Sequence, residues 1–373
     1  MKVEGRHYRT IWVEDDGRTV GIIDQTQLPH RFATEKLVSL EDAAHAIRAM
    51  LVRGAPLVGV TAAYGLALAV TVDARDEAIS KACSVLRATR PTAVNLEALL
   101  TRVASALAVV PAEARASEAY RLCRDLADED VAQNAAIGRH GLALFSAVRK
   151  LASRPSRRPL QVMTHCNAGW LATVDMGTAL APVYAAHEEG LDVHVWVSET
   201  RPRNQGASLT AWELGQHGVP YTVIVDNAAG HLLQNGAVDV VIVGTDRTTS
   251  TGDVANKIGT YLKAVAARDC GVPFYVAAPS SSIDWNLRGG KAIPIEERGA
   301  DEVTHAVGLG GDGRSLSVRL VPRDAQVKNY GFDVTPARLV TAIVTERGSC
   351  DASEEGLSGL FPERASRRTA ELR

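Results

Sequence analysis

The sequence predicts an α/β protein: a mostly helical N-terminal domain with a small β element, followed by a doubly wound parallel-sheet domain. Three observations predict this. Apolar residues recur at helical spacing over most of the first 150 positions. Past residue 159, short runs rich in Val and Ile alternate with helical stretches, as buried parallel strands and their crossover helices do. And 373 residues exceed one average domain.

Taken in order, Ile11-Trp12-Val13 and Val20-Gly21-Ile22-Ile23 flank a turn at Asp15-Asp16-Gly17 and read as two short strands. A helix starts after Ser39, with Asp42 making a weak capping box and Ala43, Ala44, Ile47 and Leu51 at helical spacing. Arg53-Gly54-Ala55-Pro56 interrupts it. Pro56 suits the first turn of the next helix, Leu57 to Val70, whose small residues point to burial. An Arg at the mouth of such a helix, beside free N–H groups and the positive dipole end, favours an anion. The plain alternative for Arg53 is a solvated side chain capping a turn. Further helical patterns cover 75–88, 94–108, 112–128 and 130–150, and Arg90-Pro91-Thr92 again puts an Arg just before a helix.

The basic, Pro-rich Ser153–Pro159 reads as a solvated linker. Strands are expected at Leu160–Met163, Val193–Val197, Tyr221–Val225, Val238–Val243 and Pro273–Val276, with helices near 171–189, 206–217, 228–235 and 255–270. This is a Rossmann-like alternation. The expected division is 1–150 for the first domain, 151–349 for the second, and 350–373 for a tail that is partly disordered or holds a short helix at Ser353–Leu360. Gly308–Gly313 lacks a strand–helix frame and reads as a flexible turn.

Composition excludes several classes. Lys plus Arg is 41 and Asp plus Glu is 43, a net charge of −2. That balance argues against nucleic acid or an anionic membrane as the main partner. No run of 18 or more apolar residues is evident, and MKVEGRHYRT lacks the apolar core of a secretory signal. The five cysteines, Cys83, Cys123, Cys166, Cys270 and Cys350, form no CxxC pair. A disulfide framework and a zinc ribbon are both poor readings, leaving a reducing cytoplasm and no metal. No GxGxxG follows the first strand, so no dinucleotide site is expected.

In doubly wound sheets ligands bind beyond the carboxyl ends of the strands. Four of the five runs end in polar or ionisable residues, and that convergence points to an enzyme. Cys166 follows the first run and precedes a helix, where a thiol acts as nucleophile or acid/base; the alternative is an inert buried Cys. Its neighbour His165 reads as a satisfied core histidine. Asp246 ends a fully apolar strand, where desolvation raises a carboxyl pKa; the alternative is a helix cap or a partner for Arg247. Lys257 opens the expected helix at 255–270 and suits a phosphate, or is an ordinary surface Lys. Gln205 opens the helix after Arg201 and suits a hydroxylated ligand.

Eight ordered stretches resemble one family: RGAPLVGVTAAYG (53–65), TRPTAVNL (89–96), THCNAG (164–169), ETRPRNQGASLTAWEL (199–214), VDVVIVGTDR (238–247), GDVANKIGTY (252–261), VPFYVAAPSSSID (272–284) and IPIEER (293–298). The chain resembles, from about residue 8 to about residue 348, the methylthioribose-1-phosphate isomerases of methionine salvage. Those enzymes group with the regulatory alpha, beta and delta subunits of translation initiation factor 2B. The resemblance implies cofactor-free isomerization of S-methyl-5-thio-α-D-ribose 1-phosphate to 5-methylthioribulose 1-phosphate. Cys166 and Asp246 match the family's catalytic pair, with Asp246 the proton donor. Arg53, Gly54, Ala55, Arg90, Gln205, Asn256 and Lys257 match its substrate-binding positions. A homodimer is implied too, and an inter-domain cleft that opens and closes. Ser208, Thr245 and Trp170 depart from the common motifs, which makes 5-deoxyribose 1-phosphate a second candidate substrate. The alternatives are an isomerase dedicated to that sugar, or a non-catalytic regulatory subunit.

Overall fold

Along Val240–Val243 the side chains alternate between two cores: Val240 and Ile242 enter one, Val241 and Val243 the other. In Phe274–Ala277, Tyr275 and Ala277 join the first core and Phe274 and Val276 the second. Strands buried on both faces need cover on both. The computed structural model describes residues 2–91, 93–151 and 158–364, and it shows a central sheet with that cover.

The first half opens with an antiparallel sheet of β1 (Ile11–Val13), β2 (Val20–Ile23) and β3 (Thr34–Leu37). The third strand was not expected, because Thr34, Glu35 and Lys36 are exposed and only Leu37 is buried. Helix α1 (Leu40–Arg48) has a complete capping box: Ser39 Oγ accepts from Asp42 N–H, and the Asp42 carboxylate accepts from Ser39 N–H. Helix α2 (Ala55–Val72) runs through the core formed with α1, α3 (Asp76–Arg87), α4 (Val94–Leu107) and α5 (Ala112–Leu151). By length and composition α2 is apolar enough to cross a membrane, which corrects the expectation that no such stretch exists. With 72% of it buried in the fold, it is a core helix.

Two helices were expected at 112–128 and 130–150, but α5 is one helix of 40 residues. No Gly or Pro stands at the supposed break, and Asp130 turns inward to accept the backbone N–H of Val174. Of the linker expected at Ser153–Pro159, residues 152–157 lie outside the described residues.

The second half contains β4 (Leu160–His165), α6 (Ala181–Glu188), β5 (Val193–Ser198), α7 (Ala211–His217), β6 (Tyr221–Ile224), α8 (Ala228–Gln234) and β7 (Val240–Val243). Next come β8 (Arg247–Thr249), β9 (Val254–Lys257), α9 (Thr260–Asp269), β10 (Phe274–Ala277), β11 (Ile283–Asp284), the hairpin strands β12 (His305–Leu309) and β13 (Ser315–Arg319), and β14 (Phe332–Thr335). The chain closes with β15 (Ala342–Thr345), β16 (Gly348–Cys350) and α10 (Glu354–Leu360). The main sheet has seven strands in the order β16-β15-β10-β7-β4-β5-β6. All neighbours are parallel except β15 and β16. A four-stranded sheet, β11-β8-β9-β14, leans on its carboxyl end.

Three expected helices are shorter than read. The first, 171–189, is a single turn at Trp170–Ala172, then a loop, then α6. The loop's backbone is satisfied from afar: Thr10 N–H donates to Val174 O, and Asp130 accepts from Val174 N–H. The second, 206–217, begins with a wide π turn over Gly206–Thr210. The third, 255–270, starts only at Thr260, because residues 254–257 form β9 between β8 and β14. In the Gly-rich 308–313 stretch, Gly308 lies in β12 and Gly310–Gly313 makes the hairpin turn. Of the tail, residues 365–373 lie outside the described residues.

Candidate active site

Helix α2 points its N-terminus at the carboxyl end of the main sheet. Gly54 makes the approach possible: its φ is +96°, and a Cβ there would lie 2.3 Å from Ala172 O. Only glycine accepts both the backbone conformation and the contact. Arg53, Gly54, Ala55, Arg90, Cys166, Gln205, Asp246, Asn256 and Lys257 all line the one cleft formed there. Positions spread over two hundred residues of sequence thus meet at one place.

Arg53 reaches across the cleft, donating from Nη1 and Nη2 to the carbonyl O of Asn167 and from Nη1 to its side-chain Oδ1. Burial depresses its pKa, with neighbouring Cys166, Glu213 and Asp246 acting the other way. Burial likewise depresses Arg90, and Arg298 beside it adds like-charge repulsion. Burial raises the Asp246 carboxyl above the ordinary range, against the pull of Lys257, Arg53 and Arg90. This is the environment expected for the end of an apolar strand, and it favours a carboxyl that holds a proton.

Asn256 and Lys257 sit on β9, not at a helix start, so the helix-terminus reason for Lys257 is withdrawn. Nor is Lys257 a surface lysine: it is 7% exposed, donates from Nζ to Gly331 O at 3.0 Å, and lies 4.6 Å from the centre of the Phe332 ring. Asn256 Nδ2 donates to Thr260 Oγ1 at 3.0 Å. The helix N-terminus that does open on the cleft is that of α2, so free N–H groups at Gly54 and Ala55 face it.

Cys166 is not at a helix N-terminus either, since only the single turn at Trp170–Ala172 follows it. Its φ is +64°, a left-handed conformation that non-glycine residues seldom adopt. His165 is a buried core histidine, with Nε2 placed 2.8 Å from Ile258 O. Burial pushes its pKa down to about 3, so the ring is neutral and Nε2–H is the donor. Gln205 is 8% exposed, and its Oε1 is buried without a hydrogen-bond partner.

Several lining residues were missed. Asn167 and Arg298 lay inside recognised motifs but were given no role, and Met50, Thr178 and Phe332 carried no signal. Arg298 is fixed by Glu302 at 2.9 Å and faces Glu296 at 3.8 Å. Of the three motif departures, only Thr245 lines the cleft. Trp170 is fully buried against Trp212, and Ser208 faces a larger neighbouring groove. Among the described residues no group of three or more His, Cys, Asp or Glu could hold a metal ion.

Residues 51–352 match the initiation factor 2 subunit family. A methylthioribose-1-phosphate isomerase of Rhodospirillum centenum is 61% identical to this chain, over 98% of it and 97% of the relative. The solved structure of 5-methylthioribose 1-phosphate isomerase from Pyrococcus horikoshii OT3 is similar at a TM-score of 0.81 and 39% identity, over 96% of each chain. That of translation initiation factor eIF-2B, subunit delta, from A. fulgidus is similar at a TM-score of 0.79 and 38% identity, over 95% of this chain and 100% of its own. With the match spanning most of its length, the chain belongs to the initiation factor 2 subunit family.

Proposed function

We propose that this protein is an aldose–ketose isomerase that converts S-methyl-5-thio-α-D-ribose 1-phosphate to 5-methylthioribulose 1-phosphate. The observation that carries the reading is the meeting of a protonatable carboxyl, a thiol and three buried cations in one cleft at the mouth of α2. The sequence relatives point the same way: a protein of that activity shares 61% of its residues with this chain.

The chemistry follows from the groups present. Arg53, Arg90, Lys257 and the α2 N-terminus hold the phosphate, and the two guanidiniums match its oxygens as planar forks. The phosphate ester on C1 prevents opening as a free sugar, so the C1–ring oxygen bond breaks with acid assistance. Asp246, its pKa raised by burial, donates the proton that the ring oxygen takes. Hydrogen then moves from C2 to C1 and the C2 hydroxyl loses its proton, leaving a C2 ketone and a C1 methylene phosphate. C1 is reduced as C2 is oxidised, so no external oxidant is consumed. Cys166 assists the C2-to-C1 transfer. A hydride shift keeps a C2 deuterium in the product; a cis-enediol route releases it to solvent.

The 5-substituent is remote from C1 and C2, so 5-deoxyribose 1-phosphate is proposed as a second substrate. Its missing thioether atoms are worth about 1–3 kcal/mol of discrimination. The division into 1–150, 151–349 and 350–373, a role in methionine salvage, a cytoplasmic setting and a homodimer belong to the same reading. The unpaired edge strand β6, with Tyr221, Val223 and Val225 exposed, supports a homodimer. A regulatory-subunit role is the second reading, favoured by the likeness to the A. fulgidus protein. Supplying each sugar phosphate separately and following ketose by NMR tests both. Turnover of the methylthio sugar is the expected result. Turnover of neither sugar overturns the isomerase reading and leaves the regulatory one.

A further inference from the structure

Three neighbouring strands of the main sheet, β4, β5 and β6, end in a chain of hydrogen bonds that leads to Cys166. Two residues in it adopt left-handed backbone conformations without being glycine: Cys166 at φ +64° and Thr200 at φ +69°. Such residues persist only where their surroundings over-determine them, and they cluster at functional sites. Here the surroundings are explicit. Cys166 N–H donates to Thr200 Oγ1 at 2.8 Å, and Cys166 O accepts from Thr210 Oγ1 at 2.8 Å. Thr200 Oγ1 in turn donates to Ser198 O at 2.9 Å. Both sides of the Cys166 backbone are therefore held by threonine hydroxyls, one past β5 and one from the π turn.

Thr200 is itself fixed from the next strand end. Asp226, two residues beyond β6, accepts from Thr200 N–H at 2.9 Å and from Ser198 Oγ at 2.5 Å through Oδ1. Its Oδ2 accepts from Arg201 N–H at 2.7 Å. His165 and Lys263 stand behind it, at 3.8 and 3.9 Å. Thr200 is fully buried, and neither it nor Asp226 lines the cleft. Both act on the site only through Cys166.

We propose that Thr200, anchored by Asp226, is a positioning residue that holds Cys166 in its left-handed conformation and so aims the thiol into the cleft. The inference rests on the assignment of Cys166 to the isomerization. It explains why an ionised side chain stands behind the thiol with no path to substrate: Asp226 locks the turn that carries Thr200.

The test is a pair of variants that differ at one atom group. Thr200→Val keeps the β-branched shape and the same backbone strain but removes the acceptor for Cys166 N–H. Thr200→Ser keeps the hydroxyl. The expected result for Thr200→Val is a fall in kcat of ten- to a hundredfold with KM changed less than twofold, and recovery to within threefold of wild type in Thr200→Ser. Equal losses in both, or a loss carried by KM, would overturn the proposal. A second readout is independent of turnover: the rate of iodoacetamide labelling at Cys166 in folded protein, followed by peptide mass spectrometry. A labelling rate altered at least threefold in Thr200→Val but not in Thr200→Ser supports positioning even if neither sugar phosphate is turned over. An unchanged rate in Thr200→Val refutes it. Asp226→Asn, which loses one carboxylate acceptor, is expected to shift both readouts in the same direction by a smaller factor, and no shift in either would remove Asp226 from the proposal.

Discussion

The two walls of the cleft carry different chemistry. The helical half brings Arg53 and Arg90, both displaced from their ordinary pKa by burial. The sheet half brings the thiol and the carboxyl, Cys166 and Asp246, on the ends of neighbouring strands β4 and β7. One wall offers charge to hold a phosphate; the other offers groups that exchange protons. The difference teaches that affinity and reaction are borne by separate layers, and that their spacing is part of the catalyst. The hydrogen bonds from Arg53 to Asn167, next to Cys166 in the chain, set that spacing directly.

The sharpest way to break the division is Asp246→Asn. It removes the proton without altering the phosphate seat, so kcat should fall by about 10²–10⁴-fold with little change in KM. Steady-state kinetics check this, and a matching rise in KM would show that the walls are not separable. Next in size is Arg53→Lys, which trades a planar fork for a point charge. A loss of about 1.5–3 kcal/mol for a charged hydrogen-bonded contact corresponds to a KM increase of about 10–150-fold. Because Arg53 also touches Asn167, kcat should fall several-fold as well. A pure KM effect would mean that the contact transmits nothing to the thiol.

The smallest effect lies behind the walls. Burial raises the Glu213 carboxyl to about 8 and Asp130 to about 7. Glu213 accepts from Leu171 N–H and Asp130 from Val174 N–H, so both support the loop after Cys166. In the native state each keeps a proton that the unfolded chain has released above its ordinary pKa. Native protein therefore binds more protons, and their contribution makes stability fall as pH rises from about 4.5 to 8 for Glu213. Glu213→Gln should flatten that slope, which for one group is at most about 1.4 kcal/mol per pH unit. Urea midpoints at pH 5, 6.5 and 8 measure it. His165 has the opposite sign, because its folded pKa of about 3 lies below the ordinary value; the difference between wild type and variant cancels it. An identical slope in both proteins would place the Glu213 carboxyl in its ordinary range.

What was legible in the sequence is what local chemistry decides. The capping box at Ser39 is written in neighbouring residues, and the apolar strands of the main sheet in their Val and Ile content. The residues after those strands had to converge once the sheet was inferred. What was not legible depends on partners far away. Asn256 and Lys257 read as helix because the stretch after Gly252 has no other local breaker until Gly259; pairing with Phe332 and Asp333, more than seventy residues on, makes it a strand. The loop at 173–180 read as helix because its true partners are Thr10 and Asp130. The outer strands β15 and β16 read as nothing, being short and defined by the sheet they complete.

The undivided α5 has a consequence for how the molecule comes apart. Its first half packs Tyr120, Cys123 and Leu126 into the helical core, and its second half packs Ile137 and Phe145 into the sheet core. At 1.5 Å per residue, its 40 residues make a rod about 60 Å long that both cores share. Losing either core strips one end of that rod of its burial, and short exposed helical ends are marginal in water. Melting of one half therefore withdraws support from the other, so the cooperative folding unit is the chain as a whole. The spacing between phosphate seat and thiol is then guarded thermodynamically: a molecule that has lost it is well on the way to being unfolded.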